Sequence, residues 1–302
     1  CPGFIDMHSH SGMVALHAPP HEAKIRQGVT TELIGVDGLS PAPFVNEHDF
    51  DSYMDLVAGL DGRPPKNFHW SSVTECLEIL EQYTVSNLAL VIGNSTLRIA
   101  AMGWREGRPT LDEGRLMSEI LRNAIREGAF GLSTGLTYPP GSYADASEIL
   151  ELCRVTKQEG GIYVTHPRYT LGDRHFEPYR EAIEISRQSG CPLHISHLHS
   201  PHPGDSRSLL GLLDDARLEG VDVTFDSYPY PYTSGPLLAL LPSWTCEGGV
   251  QALMRRLRSK HERARIALDP DVAERDYSLY LLTNFTKPKY RFFEGHSLAS
   301  VA

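Results

Sequence analysis

The sequence contains no apolar run of roughly 18 residues, which excludes a membrane-crossing helix. It also lacks any excess of positive charge. Its 28 Lys and Arg against 38 Asp and Glu leave a net charge of −10, which argues against a nucleic-acid partner, because phosphate binding needs a basic face. Cysteine is scarce: Cys1, Cys76, Cys153, Cys191 and Cys246 are scattered, odd in number and without a CxxC pair. That usage fits free thiols in a reducing compartment, so a cytoplasmic location is expected. No glycine-rich phosphate fingerprint follows the first strand, which weakens a nucleotide-binding reading. The first residues carry no initiator Met, basic n-region or apolar h-region, so the chain is expected to be a portion of a longer protein, entered inside a strand.

What is present is ordinary globular composition, 41% hydrophobic and 22% charged, over 302 residues. That length suffices for most of one α/β barrel. The organising stretch is Pro2-Gly3-Phe4-Ile5-Asp6-Met7-His8-Ser9-His10. Phe4, Ile5 and Met7 suit a buried strand that begins after Pro2-Gly3. Alternate residues of a strand share a face, so His8 and His10 lie about 7 Å apart on one side, where two imidazoles can converge on one cation. Three further segments end in polar residues: Thr31–Asp37, Gly161–His166 and Pro192–His197. Loop chemistry follows each, at Gly38, at Pro167 and in the Ser200-Pro201-His202-Pro203-Gly204 run. Polar residues at the same ends of buried parallel strands imply one site at the carboxyl edge of a sheet or barrel.

In chain order, helices are expected at Pro20–Gln27, Ser72–Gln82, Thr110–Glu127, Ala146–Glu159, Glu177–Ser189 and Ser206–Glu219. Strands are expected at Thr30–Val36, Asn87–Gly93, Gly128–Ser133 and Val221–Asp226, besides the three that end in histidine. The Asn87–Gly93 run is continuously apolar, as a strand buried on both faces would be. Seven strands alternating with helices point to a (β/α)8 barrel rather than an open doubly wound sheet. From Gly235 the rhythm changes, which suggests a barrel portion over 1–234 and an insertion-like segment over 235–302.

Several of these motifs together resemble the N-acyl-D-amino-acid deacylase (D-aminoacylase) branch of the metal-dependent amidohydrolase superfamily. Gly3-Phe4-Ile5-Asp6-Met7-His8-Ser9-His10 is similar to the superfamily's first-strand metal motif. Lys24-Ile25-Arg26-Gln27-Gly28-Val29-Thr30-Thr31-Glu32 through Pro41-Ala42-Pro43 resembles the branch's second-strand region. Gly131-Leu132-Ser133-Thr134-Gly135-Leu136-Thr137-Tyr138-Pro139-Pro140-Gly141 is its most distinctive stretch. Tyr163-Val164-Thr165-His166, Ile195-Ser196-His197 and Asp226-Ser227-Tyr228-Pro229-Tyr230 complete the set.

The resemblance implies an α/β fold, a TIM-like barrel of the amidohydrolase type that is truncated here, with strands one to seven present and no eighth. It implies hydrolysis of N-acyl-D-amino acids by a metal-activated water, with one or two Zn²⁺, or Mn²⁺ or another divalent ion. His8 and His10 would hold one metal position; His166 and His197 would hold the other. Two positions depart from the branch. Asp37 stands where a metal-bridging cysteine is usual, and a carboxylate is a harder ligand that also bridges cations. Asp37 before Gly38 is equally the chemistry of a plain turn. His199 stands where a lysine generally holds the substrate carboxylate, and a histidine is only partly charged near neutral pH. Arg168 can supply a bidentate carboxylate contact instead, or be a loop arginine.

Tyr138 and Tyr228 match positions lining the substrate pocket, where a phenol can donate to an oxyanion, and Ser234 is a further candidate. His194 points away from His197 and reads as structural. The branch's general base is an Asp ending strand eight, expected beyond residue 302, so the segment is expected to be inactive alone; Asp226 ends strand seven and is a different position. The competing readings are a dihydroorotase- or hydantoinase-like amidohydrolase and a degenerate, non-catalytic barrel. Oligomeric state is not readable from the sequence.

Overall fold

The computed structural model describes residues 2–17, 22–44, 46–169, 174–199, 204–285 and 287–302. Cys1, Pro20 and the 200–203 part of the loop named above lie outside them. Seven apolar segments form one parallel succession of strands. They are β1 (Phe4–Asp6), β2 (Val29–Ile34), β3 (Asn87–Leu90) continued after Val91 by β4 (Ile92–Gly93), β5 (Gly131–Gly135), β6 (Ile162–His166), β7 (Leu193–Ile195) and β8 (Val223–Phe225). Each pairs in parallel with its sequence neighbour, in the orders β1-β2-β3 and β4-β5-β6-β7-β8. The break at Val91 divides the expected Asn87–Gly93 strand in two. Val91 donates to the Ile34 carbonyl at 3.0 Å and so keeps the two sheets in register.

Alternation along these strands builds two apolar layers, as the continuous hydrophobic runs require. Leu33, Val36, Val91 and Val164 pack together on one side of the strands. Ile34, Leu90, Ile92, Leu132, Tyr163, Leu193 and Ile195 face the larger cluster shared with the helices. Those helices are α1 (Glu47–Val57), α2 (Val73–Glu81), α3 (Asn94–Met102), α4 (Leu111–Arg126), α5 (Ala146–Gln158), α6 (Glu177–Ser189) and α7 (Ser206–Leu218). Their starts follow local chemistry. Ser72 with Glu75, and Thr110 with Glu113, form reciprocal capping boxes, and Asp145 caps the Glu148 amide.

The parallel α/β succession expected from the sequence is therefore present, with several local differences. Phe4 and Ile5 are 71% and 63% exposed rather than buried, because β1 pairs with β2 alone among the described residues. Of the helix expected over Pro20–Gln27, the described residues form a single 3-10 turn, Ile25–Gln27, closed by Gly28 at φ 86°. The strand expected at Gly128–Ser133 lies three residues later, after Ala129 and Phe130 connect it to α4. Helices α1 and α3 were not expected. Asn94, Ser95, Thr96 and Arg98 of α3 are polar in sequence yet wholly buried.

The buried Arg98 guanidinium donates to Glu148 of α5 at 2.5 Å and to the Gly107 carbonyl at 2.6 Å. After Phe225 no further named strand occurs among the described residues, only an isolated antiparallel bridge between Leu281 and Ser297. The segment from 235 onward carries α8 (Gly249–Arg258) and α9 (Lys260–Ala267). It meets the strand-bearing part where the Gly248 amide donates to the Trp104 carbonyl and the Tyr143 hydroxyl to that of Ser243. No helix among the described residues is long and apolar enough to cross a membrane.

Candidate metal centre

The carboxyl ends of β1, β2, β6, β7 and β8 deliver His8 and His10, Asp37, His166, His197 and Asp226 to one place. The loop after β2 is drawn in by buried polar contacts. The Ser133 hydroxyl donates to the Gly35 carbonyl at 2.5 Å and accepts from the Gly38 amide at 3.2 Å, so β5 fixes the turn carrying Asp37. Gly135 is required there, because a Cβ would lie 1.9 Å from the Asp37 carbonyl oxygen. Asp37 takes φ 57° and His197 φ 36°, left-handed conformations that ordinary side chains adopt at a cost of order 1–3 kcal/mol. Such strain concentrates at functional sites.

Asp37 is buried at the middle of the cluster, and its two oxygens face opposite ways. Oδ2 is 3.7 Å from His8 Nε2 and 3.5 Å from His10 Nε2. Oδ1 is 3.7 Å from His166 Nδ1 and 3.5 Å from His197 Nε2. Two donors bound to one zinc at about 2.1 Å with a tetrahedral angle stand roughly 3.4 Å apart, so these separations are those of ligands around a cation. The His166 Nδ1 and His197 Nε2 atoms face one another at 2.9 Å. Among the described residues Asp37 Oδ1 has no hydrogen-bond partner, as a ligand atom would not. The donors fall into two sets sharing Asp37, namely His8–His10–Asp37 and Asp37–His166–His197. The residues fit a pair of divalent cations.

Behind three of the four imidazoles stands a hydrogen-bonded second group. His10 Nδ1 meets Asp61 Oδ1 at 2.6 Å, His166 Nε2 meets the Thr137 hydroxyl at 2.6 Å, and His197 Nδ1 meets the Tyr169 hydroxyl at 3.0 Å. Asp226 accepts from the His197 amide at 2.7 Å, pairs with His194 Nε2 at 2.9 Å and lies 3.8 Å from His8 Nδ1. His194 also meets the Thr224 hydroxyl at 2.8 Å, so it orients Asp226 from outside the ligand set. Asp61, Thr137 and Tyr169 escaped the sequence reading. Asp61 lies in a stretch without strand or helix periodicity, and its only signal is that it is an acid in a chain rich in histidine.

Burial lowers the His8 imidazole to about 4 and that of His166 to about 3. Burial opposes protonation of His10 too, but Asp61 and Asp37 outweigh it and hold His10 at about 10. Burial would raise the Asp37 carboxyl, yet His166 and its companions keep it well below the usual carboxylate range.

The candidate substrate residues are placed unevenly. The buried Tyr138 ring lies 4.7 Å from that of His166, and burial raises its phenol. Tyr228 is 6.5 Å from His197 and 6.2 Å from His199, ring to ring. Burial lowers the His199 imidazole, and its Nδ1 sits 2.5 Å from the His197 carbonyl. Arg168 differs from the expectation of a free carboxylate fork. It donates to the Ser142 and Ala144 carbonyls at 3.0 and 2.6 Å and faces Glu181 at 3.4 Å, so it ties down the loop that follows β5. Ser234 is exposed on the loop beyond β8, and among the described residues it makes no hydrogen bond to the cluster.

Parallel strands whose carboxyl ends bring two histidine pairs to a shared carboxylate are the architecture expected of the metal-dependent amidohydrolase superfamily. No protein-family model matches the chain. It is 34% identical over 240 residues to N-acyl-D-glutamate deacylase of Alcaligenes xylosoxydans xylosoxydans, a match covering 78% of this chain and 48% of that one. It is 35% identical over 233 residues to the D-aminoacylase of the same organism, covering 76% and 46%. Among solved structures, N-acyl-D-glutamate deacylase of Bordetella bronchiseptica, complexed with zinc and a phosphonate mimic of the tetrahedral intermediate, aligns with TM-score 0.68 at 33% identity. That alignment covers 76% of this chain and 48% of the other. The chain belongs to the N-acyl-D-amino-acid deacylase family. It spans about half the length of the curated relatives it matches.

Proposed function

We propose that the protein containing this chain hydrolyses the amide bond of N-acyl-D-amino acids, releasing a D-amino acid and a carboxylate. The observation that carries the reading is Asp37, whose two oxygens each face a pair of imidazoles at 3.5–3.7 Å. His8, His10 and Asp37 would hold one divalent cation, and Asp37, His166 and His197 the other. Zinc is the expected ion, with manganese or another oxygen-tolerant ion admitted by the carboxylate bridge. Bound there, the ions would polarise the substrate carbonyl and bring a water toward ionisation near neutral pH.

The chain's own groups then bind and orient. Tyr228 would donate its phenol to the developing oxyanion, and Tyr138 would wall the pocket against His166. His199, lowered by burial, donates its one neutral N–H from Nδ1 to the His197 carbonyl and so would offer the substrate carboxylate a donor, from Nε2, only when protonated. Arg168 acts by fixing the 142–144 backbone rather than by touching substrate. Ser234 is left as a contact made only if its loop closes on the substrate. The general base is expected outside residues 1–302. A small-molecule substrate in the cytoplasm, away from nucleic acid and membrane, accords with the charge and cysteine usage. Residues 235–302 are read as an insertion-like segment beside the barrel portion 1–234.

The test is elemental analysis of the full-length protein with Asp37→Ala alongside, together with an assay on N-acyl-D- and N-acyl-L-amino acids. The expected result is one to two equivalents of metal that fall in the variant, with turnover of the D-form. A wild-type protein without metal or turnover would leave a degenerate barrel.

A further inference from the structure

Glu32 is the one charged residue of β2; it is buried and belongs to neither donor set. A buried carboxylate is costly unless its oxygens are satisfied, and three hydroxyls converge on this one. Ser9 and Ser11 donate to Oε2 at 2.7 and 2.5 Å, and Ser86, just ahead of β3, donates to Oε1 at 2.6 Å. Burial would raise the carboxyl, yet the serine hydroxyls and Lys24 hold it below the ordinary glutamate value. Glu32 also stands directly across from Asp6 in the β1–β2 register, where two acids repel. Lys24 offsets that by pairing with Asp6, whose Oδ1 accepts from the His8 amide at 3.0 Å. Because β1 ends at Asp6, the strand ladder does not set the spacing of His8 and His10. Side chains do so instead. Along His8-Ser9-His10-Ser11 the imidazoles approach Asp37 and the two buried serines approach Glu32, so the loop is stretched between two carboxylates.

We propose that Glu32 is a positioning residue: through Ser9 and Ser11 it holds the loop after β1 so that His8 and His10 both face Asp37, whether or not a cation is bound. The purpose of this clamp rests on reading His8 and His10 as cation ligands; its mechanics do not. A carboxylate suits the task because one side chain accepts from all three hydroxyls at once, and hydrogen bonds to a charged acceptor are roughly twice as strong as neutral ones.

The test uses the metal-free full-length protein, with amide hydrogen exchange of the loop and the ring signals of His8 and His10 in histidine-labelled NMR spectra as readouts. Glu32→Met keeps the side-chain length and removes the acceptors. Glu32→Gln keeps an oxygen for Ser9 and Ser11 and an amide that can donate to Ser86. The Ser9 amide donates to the Leu33 carbonyl at 3.0 Å, so its exchange reports opening of the loop. In Glu32→Met that exchange should quicken about 10- to 100-fold, the worth of hydrogen bonds to a charge, and both ring signals should broaden or split. In Glu32→Gln it should quicken less than about fivefold, with each ring keeping one signal. Exchange across β6 should stay within about twofold of the unmodified protein, which a general loss of stability would not allow. Adding Ser9→Ala and Ser11→Ala to Glu32→Met should change loop exchange less than about threefold, since Glu32 acts through those residues. Unchanged loop exchange in Glu32→Met, equal quickening across β6, or a Gln variant no better than the Met variant would overturn the proposal. If the loop responds as expected in a protein that binds no Zn²⁺, the clamp is upheld and the cation reading alone falls.

Discussion

Gly135→Ala tests whether barrel packing and the candidate metal bridge are one mechanical unit. A Cβ at 135 would sit 1.9 Å from the Asp37 carbonyl oxygen and 2.9 Å from a Tyr138 ring carbon. Ordinary contact begins near 3.4 Å, so the Asp37 backbone must retreat by about 1.5 Å. The obstacle is backbone held by the Ser133 contacts to Gly35 and Gly38, not the end of a flexible side chain. Overpacking of this kind destabilises by about 1–3 kcal/mol. The displacement also far exceeds the roughly 0.2 Å tolerance of metal–ligand distances, so bound metal should fall with stability. Urea unfolding and metal content of the full-length protein measure both. The control is Gly211→Ala within α7, where a Cβ meets nothing within 4 Å and the helix should gain about 0.5–1 kcal/mol. A Gly135→Ala protein with unchanged urea midpoint and metal content would refute the coupling.

Arg98→Met removes the buried partner of Glu148 and leaves a carboxyl whose affinity for protons burial already raises; the expected loss is about 3–5 kcal/mol in urea unfolding. A loss under about 1 kcal/mol would show that the pair is dispensable. Stability of the metal-free protein should fall on both sides of neutrality. His8 and His166 titrate at about 4 and 3 when folded against an ordinary 6.5, so the unfolded chain takes up protons first and stability declines as pH drops below 6.5. His10 is raised to about 10, so its contribution is complete below 6.5 and is lost as pH climbs toward 10. Each unmatched histidine proton gives a slope of up to about 1.4 kcal/mol per pH unit. A flat profile from pH 4 to 10 would contradict the imidazole environments described.

The parallel succession was legible because its strands are continuous apolar runs punctuated by glycine and proline, a signal that depends only on neighbours in sequence. Helices α4 to α7 were legible from periodicity and caps. Helix α3 was not, because Asn94-Ser95-Thr96 reads as loop composition. Only the contacts around those residues make them helical and buried: Asn94 with Gly141, Thr96 with Ser40, and Arg98 with Glu148. The exposure of Phe4 and Ile5 likewise depends on what lies across β1, which no local pattern records.

The four histidines were legible in sequence as motif residues, and Asp37 as one that was either ligand or turn. Strand alternation predicted a common side for His8 and His10, but β1 ends at Asp6 and both lie in the loop that follows it, whereas the recurrence of polar residues after the strands implied one shared edge. Distances belong to the tertiary structure alone. It turned the two oxygens of Asp37 toward opposite imidazole pairs, and it carried Asp61 across 51 residues of chain to the back of His10. It also drew Arg168 to the backbone of the 142–144 loop. Sequence periodicity determines which face a side chain occupies within its own element. Which groups meet across elements is decided only when burial packs those elements together, and the chemistry of this centre lies in those meetings.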